Sequence, residues 1–206
     1  KELEQMLNLH TPMFEGKLGV YPDVKIAAEI KADAKPHHCG QPHRIPHSLI
    51  EPTKKEVQRL VDIGVLEPVP CERVGKWCCG SFVVPKKNNR IWFITDLRKA
   101  NEAIESKPYP IPNIMDMIND IGSYSHVTAL DLSMAFYNFE LDDKTKELTT
   151  FVLPWGYYRY KRLPMGLKVS PFACQRYISQ IFADLPFVKI FQDDILIHSK
   201  PGATFA

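Results

Sequence analysis

Two adjacent carboxylates, Asp193 and Asp194, stand between the apolar runs Phe187 to Phe191 and Ile195 to Ile197. Aromatic and β-branched residues on both sides of a short polar break predict a tight β-hairpin with the Asp pair at its tip. A two-residue hairpin turn favours Gly, so a doubled Asp is a costly choice there. Two like charges hemmed in by Phe and Ile also repel each other unless a cation stands between them. Taken alone, the pair reads as a solvated acidic turn. A third carboxylate argues for chemistry. Asp131 ends the strand-like run Ser125 to Asp131, where Val127, Ala129 and Asp131 share one face by period-two alternation. If the two segments are neighbours in one sheet, three carboxylates meet at a single point. Hard oxygen donors with open positions suit Mg²⁺, and a pair of such ions about 4 Å apart is a device for phosphoryl transfer.

The elements that must position these residues are legible from patterning. Residues 1–10 carry Leu3, Met6 and Leu7 at helical spacing. From Thr11 to Pro52 frequent prolines forbid long helices and predict an extended arm, with a possible strand from Val24 to Ile30. His37, His38, Cys39, His43 and His47 invite a zinc reading, but their spacing fits no standard four-ligand pattern. Polar side chains on an arm are preferred. Thr53 and Glu56 form a capping box for a helix that buries Val57, Leu60 and Val61 and stops at Gly64. Residues 81–85 and 90–97 predict a hairpin with a basic tip. Asn113 caps a helix bearing Ile114, Met117, Ile118 and Ile121, stopped at Gly122. A second hairpin follows, Thr149 to Leu153 and Tyr157 to Leu163 around Pro154, Trp155 and Gly156. Ser170 with Pro171 opens a helix carrying Cys174, Ile178, Ile181, Phe182 and Leu185, and Pro186 closes it.

Composition sets wide bounds. At 206 residues, with 45% hydrophobic and 24% charged residues, the chain can bury a real core. A net charge of +2 neither demands nor excludes nucleic acid. Five cysteines without a CxxC pair argue against a disulfide framework and for a reducing compartment. No apolar run approaches the ~18 residues of a membrane-spanning helix, so no membrane partner is expected. The chain begins at Lys1 with no start Met or signal pattern, and is expected to be a piece of a longer polypeptide.

The order of motifs along the chain carries a family resemblance. Phe82 to Lys87, Asp96 to Arg98, Tyr109 to Pro112, Leu130 to Leu132, Leu163 to Leu167, Ser170 with Pro171, and Phe191 to Asp194 resemble the reverse transcriptases of LTR retrotransposons, most of all the gypsy-type branch. The match runs from about Phe14 to the end of the chain. It implies an α+β fold, the fingers and palm of a right-hand polymerase with an antiparallel palm sheet. Residues 1–107 would be N-terminal arm and fingers, and 108–206 palm, with a fingers segment returning at about 143–163. The thumb is expected to lie outside the chain, as are RNase H, integrase and protease domains of the parent polyprotein.

The resemblance also implies roles. Asp131, Asp193 and Asp194 stand at the three catalytic, metal-binding carboxylates, for two Mg²⁺ ions with Mn²⁺ as a substitute. Lys86, Lys87 and Arg90 lie at the fingertip that closes over the dNTP, where cations suit phosphate oxygens. Leu132, Phe136 and Met165 would line the dNTP site, Phe136 as the aromatic gate against a ribose 2′-OH. Arg98, Tyr157, Arg159, Lys161, Arg162, Gly166, Phe191 and Gln192 would face the primer and its RNA or DNA template; Tyr157 to Arg162 interleave aromatics with cations as such surfaces do. The implied activity is RNA-directed DNA polymerase, in cytoplasmic retrotransposon particles. Three positions depart from the family pattern. Trp92 stands where the family has an Arg that grips the triphosphate, Phe191 replaces a Tyr, and Lys168 replaces a small or polar residue. Trp92 keeps a second reading open, a decayed or co-opted domain that binds nucleic acid without polymerising.

Overall fold

The computed structural model describes residues 2–87, 91–107 and 109–199, with side chains from residue 4 onward. Helix α1 (Glu2–Leu9) leaves Met6 and Leu7 exposed, so its apolar stripe is not part of the core. The proline-punctuated stretch behind it is extended between a 3₁₀ turn at Thr11–Phe14 and Pro46, but not at its two ends, where local helix forms. Its one named strand is β1 (Lys25–Ile26), shorter than the predicted run and joined in parallel to β6 (Glu140–Leu141). The arm is held by specific bonds. Tyr21 N–H donates to the Asn138 carbonyl (2.7 Å), and buried Ala28 N–H donates to Thr145 Oγ1 (2.8 Å). Tyr21 also stacks on Phe139 and tilts against Tyr177, with ring centroids 5.3 and 5.2 Å apart. His43 packs its ring against Gly80, where an added Cβ would lie 2.7 Å from Nε2. A side chain at Gly80 would have to displace that exposed ring.

Helix α2 (His47–Asp62) corrects the expected start at Thr53: it begins six residues earlier and runs through Pro52. Thr53 is fully buried and donates its hydroxyl back to the Leu49 carbonyl instead of capping. Half-buried Leu49 and Ile50 continue the stripe of Thr53, Val57 and Leu60, so packing outweighs the hydrogen bond that Pro52 cannot donate. Gly64, at φ +75°, ends the helix as predicted and leads into β2 (Leu66–Val69).

The basic-tipped hairpin is β3 (Gly80–Pro85) with β4 (Ile91–Asp96), in register Val84 to Trp92. The short α3 (Arg98–Ala103) follows. Helix α4 (Ile114–Ile121) is capped by Asn113, whose side chain accepts from Met115 N–H (2.8 Å). Of its apolar face only Ile121 is buried. Strand β5 (Val127–Asp131), a 3₁₀ turn at Ala135–Asn138, β6, and α5 (Asp143–Leu148) lead to the second hairpin, β7 (Phe151–Leu153) and β8 (Gly156–Tyr160). Then come α6 (Ser170–Ile181), β9 (Val188–Phe191) and β10 (Asp194–His198). Ser170 and Pro171 open α6 as expected, Ser170 buried and donating to the Pro164 carbonyl, but the helix ends at Ile181, before Phe182 and Leu185.

Two antiparallel three-stranded sheets result, β5-β10-β9 and β2-β8-β7. One continuous core runs beneath both, from Val57, Leu66 and Phe151 to Leu167, Cys174, Ile190 and Ile195. Each fully buried Leu, Ile or Phe contributes about 1.5–3 kcal/mol.

The β9–β10 turn also differs from expectation. Phe191 pairs with Asp194, so the two turn residues are Gln192 and Asp193, and Asp194 opens the strand. Gln192 takes the left-handed backbone (φ +55°), which costs a non-Gly residue roughly 1–3 kcal/mol. Buried Gln175 of α6 offsets that cost. Its Oε1 accepts from Gln192 N–H (2.8 Å) and its Nε2 donates to the Ile190 carbonyl (3.0 Å), so one amide holds both ends of the turn.

Two predictions follow from these contacts. Gln175→Met keeps the bulk but strands two polar groups at the turn, each worth about 1–3 kcal/mol. It should lower the urea midpoint and speed hydrogen exchange at Gln192, and unchanged exchange would mean that the turn holds itself. The second concerns thiols. Burial pushes Cys78 up to about 11 and Cys79 and Cys174 up to about 12, whereas Cys71 is exposed and Cys39 half-buried. At about pH 8 a thiol reagent should label Cys71 first, then Cys39, and spare the other three until the chain unfolds.

Candidate active site

Strand β10 pairs with β5 so that Asp194 lies directly opposite Asp131. Opposed residues in an antiparallel pair project to the same face. The turn is tied to the end of β5 by Leu132 N–H, which donates to the Asp193 carbonyl (2.9 Å). Asp131 and Asp193 line one cavity of about 200 Å³, together with Leu132, Phe136, Tyr137 and Met165. Backbone pairing thus brings the three predicted carboxylates to one corner. Their side chains do not close on a common point: among the described residues no three His, Cys, Asp or Glu converge closely enough to hold a metal ion.

The donor set nevertheless fits a hard divalent cation. Among the described residues none of the three carboxylates is in an ion pair, while Asp96, Asp143, Glu56 and Glu67 are each paired with Lys or Arg. Oxygen donors left unneutralised on a sheet corner are what Mg²⁺ binds. Cys174 lies behind the turn, its thiol raised by burial and by the Asp193 carboxylate.

Phe136 reaches the cavity from the 3₁₀ turn Ala135–Asn138, entered through Met134 at φ +54°. The opposite wall is the loop at Met165 and Gly166. Gly166 sits at φ +87°, a backbone that favours glycine. Asn101 of α3 fixes this loop: its Nδ2 donates to the Gly166 carbonyl (2.8 Å) and its Oδ1 accepts from Lys168 N–H (2.7 Å). The Lys168 ammonium donates to the Ile104 carbonyl at the end of α3 (3.0 Å), which gives that departure from the family pattern a structural use. Tyr137 and Met165 also wall a second cavity of about 240 Å³, bounded by Trp92, Phe93, Thr95 and Tyr160.

The remaining predicted residues are placed as follows. Lys86 and Lys87 are exposed on the β3 side of the fingertip, with Lys86 Nζ 5.0 Å from the Trp92 ring centroid. Arg90 lies outside the described residues. Arg98 is exposed and gives its fork to Asp96 (2.8 and 2.6 Å), which holds that carboxyl below its usual range. Arg159 pairs with Glu67 across β8 and β2, and Arg162 donates to the Gly19 carbonyl. Tyr157, Lys161, Phe191 and Gln192 are half-buried. Pattern reading passed over Gln175 and Asn101. The available signal for Gln175 was an amide beside the buried stripe of Cys174 and Ile178, where it must find partners. Asn101 offered none, because its partners lie more than sixty residues away.

The chain resembles known proteins in sequence and in fold. A family model described as "Reverse transcriptase (RNA-dependent DNA polymerase)" matches residues 84–203. The retrovirus-related Pol polyprotein from transposon 412 of Drosophila melanogaster is 30% identical over 163 residues, covering 75% of this chain and 13% of that protein. The one from transposon 297 is 29% identical over 173 residues, covering 81% and 15%. The chain therefore spans about a seventh of these relatives. Among solved structures, prototype foamy virus protease–reverse transcriptase superposes with a TM-score of 0.83 at 20% identity, over 97% of this chain and 26% of that one. That likeness establishes the fold as the fingers and palm of a polymerase. With more than half of its length matched by the family model, and the carboxylate-bearing hairpin inside the match, the chain belongs to the reverse transcriptase (RNA-dependent DNA polymerase) family.

Proposed function

We propose that the chain is the part of an RNA-directed DNA polymerase that extends a primer on an RNA or DNA template with dNTPs, within a retrotransposon Pol polyprotein acting in cytoplasmic particles. The observation that carries the reading is the β5–β10 register, which brings Asp131 and Asp194 opposite each other and Asp193 to the same corner. Asp131, Asp193 and Asp194 would hold Mg²⁺ or Mn²⁺, which when bound supplies charge stabilisation to a transferring phosphoryl group and activates the attacking hydroxyl. The chain's own residues do the rest. Phe136, which lines the same cavity as Asp131 and Asp193, would exclude a 2′-OH by bulk. Lys86 and Lys87 offer charge-assisted hydrogen bonds to phosphate oxygens. The Met165–Gly166 loop, held by Asn101, brings bare backbone close to a base pair. Solved foamy virus relatives in complex with dsDNA and with an RNA/DNA hybrid support nucleic acid as the partner. Domain division follows the same reading, with arm and fingers over residues 1–107, palm over 108–206 and a fingers return at about 143–163. The second reading, a nucleic-acid binder that does not polymerise, is favoured only by Trp92.

Primer extension separates the two. With the chain joined to the thumb segment of a related Pol polyprotein, Asp131→Asn, Asp193→Asn or Asp194→Asn should each lower extension by roughly a thousand-fold, the rate equivalent of several kcal/mol of lost charge stabilisation. The unfolding midpoint should not fall, because each change removes a like charge from the corner. Extension that persists in Asp193→Asn would sink the assignment. Phe136→Val should raise rNTP incorporation roughly ten- to two-hundred-fold relative to dNTP. Equal rNTP use by parent and variant would locate the gate elsewhere.

A further inference from the structure

Two cysteines meet where the proline-punctuated arm crosses the root of β3. Cys78 N–H donates to the His37 carbonyl (2.9 Å) and the Cys78 carbonyl accepts from Cys39 N–H (2.8 Å), which sets His38 beside Cys78 in a parallel bridge. Backbones paired in this way lie about 4.8 Å apart, inside the ~4.4–6.8 Å over which a disulfide joins two Cα atoms. The thiols also share a face. Cys39 Sγ lies 3.6 Å from the point where a Cβ would sit on Gly80. Gly80 is two residues on from Cys78 in extended chain, so by alternation the two positions point to the same side. His43 Nε2 lies 2.7 Å from that same point, so an imidazole that can take up a thiol proton flanks the Cys39 sulfur. The Cys39 thiol donates to the Gln41 carbonyl (3.1 Å), a weak bond for sulfur. The Cys39 amide also acts on the Cys78 thiol, against the rise that burial imposes. Access separates the two sulfurs: Cys39 is half-buried and Cys78 fully buried. A buried cysteine by itself is a small apolar residue, but Cys78 has a second thiol across its own backbone bridge.

We infer that Cys39 and Cys78 form a reversible oxidation site, in which Cys39 takes up a low-molecular-weight disulfide and Cys78 resolves the adduct as an intrachain bridge. Cys39, as thiolate, attacks one sulfur of the oxidant RSSR. The S–S bond of the oxidant breaks, and the departing sulfur takes up a proton and leaves as RSH. Cys78, losing its proton in turn, attacks the Cys39 sulfur of the mixed disulfide and expels the second RSH. Two protein thiols are oxidised to one disulfide while one RSSR is reduced to two RSH. The bridge closes a loop of about forty residues that contains all of α2 and β2, and it ties the arm to the root of the basic-tipped hairpin. A reducing poise keeps the site open, and an oxidising one closes it. The inference stands on the fold alone and does not depend on the polymerase reading.

The test incubates the whole chain in glutathione buffers of graded redox poise, in a Cys71→Ser background that removes the exposed thiol. Free thiols are then alkylated, disulfides are mapped by peptide mass spectrometry, and the unfolding midpoint is measured for each buffer. The expected result is one bridge, Cys39 to Cys78, with two thiols lost per chain. The midpoint should rise by roughly 5–15 °C, and dithiothreitol should reverse both changes. Cys78→Ala should stall at a glutathione adduct on Cys39. Cys39→Ser should take up no glutathione and keep the reduced midpoint in every buffer. Because Cys39 is only half-buried, this second variant carries the test if Cys78→Ala fails to fold. The inference is overturned if the mapped bridge joins another pair, if the parent stops at the Cys39 adduct, or if oxidation leaves the midpoint unchanged. It is overturned as well if the reduced chain holds one zinc ion that both variants lose, since the thiols would then be metal ligands.

Discussion

The candidate site depends on one backbone bond, from Leu132 N–H to the Asp193 carbonyl, made where β5 ends and the β9–β10 turn begins. It fixes the register in which Asp194 faces Asp131. A slip of one residue would send alternate side chains to the other face and scatter the carboxylates. Nothing in the turn itself secures this register. Gln192 adopts a conformation that L-residues resist, and Asp193 brings charge to a tight corner. The restraint comes from beneath, where buried Gln175 satisfies the turn's amide and the Ile190 carbonyl. Removing that amide leaves the turn held only by the β5–β10 pairing and the Leu132 bond.

The same logic runs outward from the corner. Cys174 and Ile178, neighbours of Gln175 on α6, belong to the continuous core that also holds Phe139, Phe151 and Leu167. Phe139 ends the 3₁₀ turn that presents Phe136, and it carries the Tyr21 ring of the arm. Asn101 binds the Met165–Gly166 wall to α3. Each wall of the cavity is therefore fastened to a different part of the core. Such cross-bracing holds the walls of the cavity in one fixed arrangement.

Charge is distributed with a clear division. Away from the corner, carboxylates are matched to nearby cations, Asp96 with Arg98, Glu67 with Arg159, Glu56 with Arg59. Most of these pairs are exposed and add little stability. At the corner the three Asp residues have no such partner among the described residues. That contrast in pairing is what the proposed cation binding rests on.

Several features were determined by sequence alone. Alternation of apolar and polar residues marked both hairpins, and Asn113, Gly64 and Gly122 punctuated their helices, because a period of two and a cap are local properties of the chain. The carboxylate trio and the order of motifs were legible for the same reason. Tertiary structure decided the rest. Leu49 and Ile50 carried α2 through Pro52 because burial outweighed the missing donor. The hairpin tip moved to Gln192 and Asp193 because pairing with β5 and the grip of Gln175 set the register. Asn101 and Gln175 owe their roles to partners 65 and 17 residues distant, Gly166 and Gln192. The indole of Trp92 gained a cation and a cavity wall only when β3 folded back beside β4. Contacts between residues far apart in the chain leave no local pattern, and it is those contacts that turn three acids into a site.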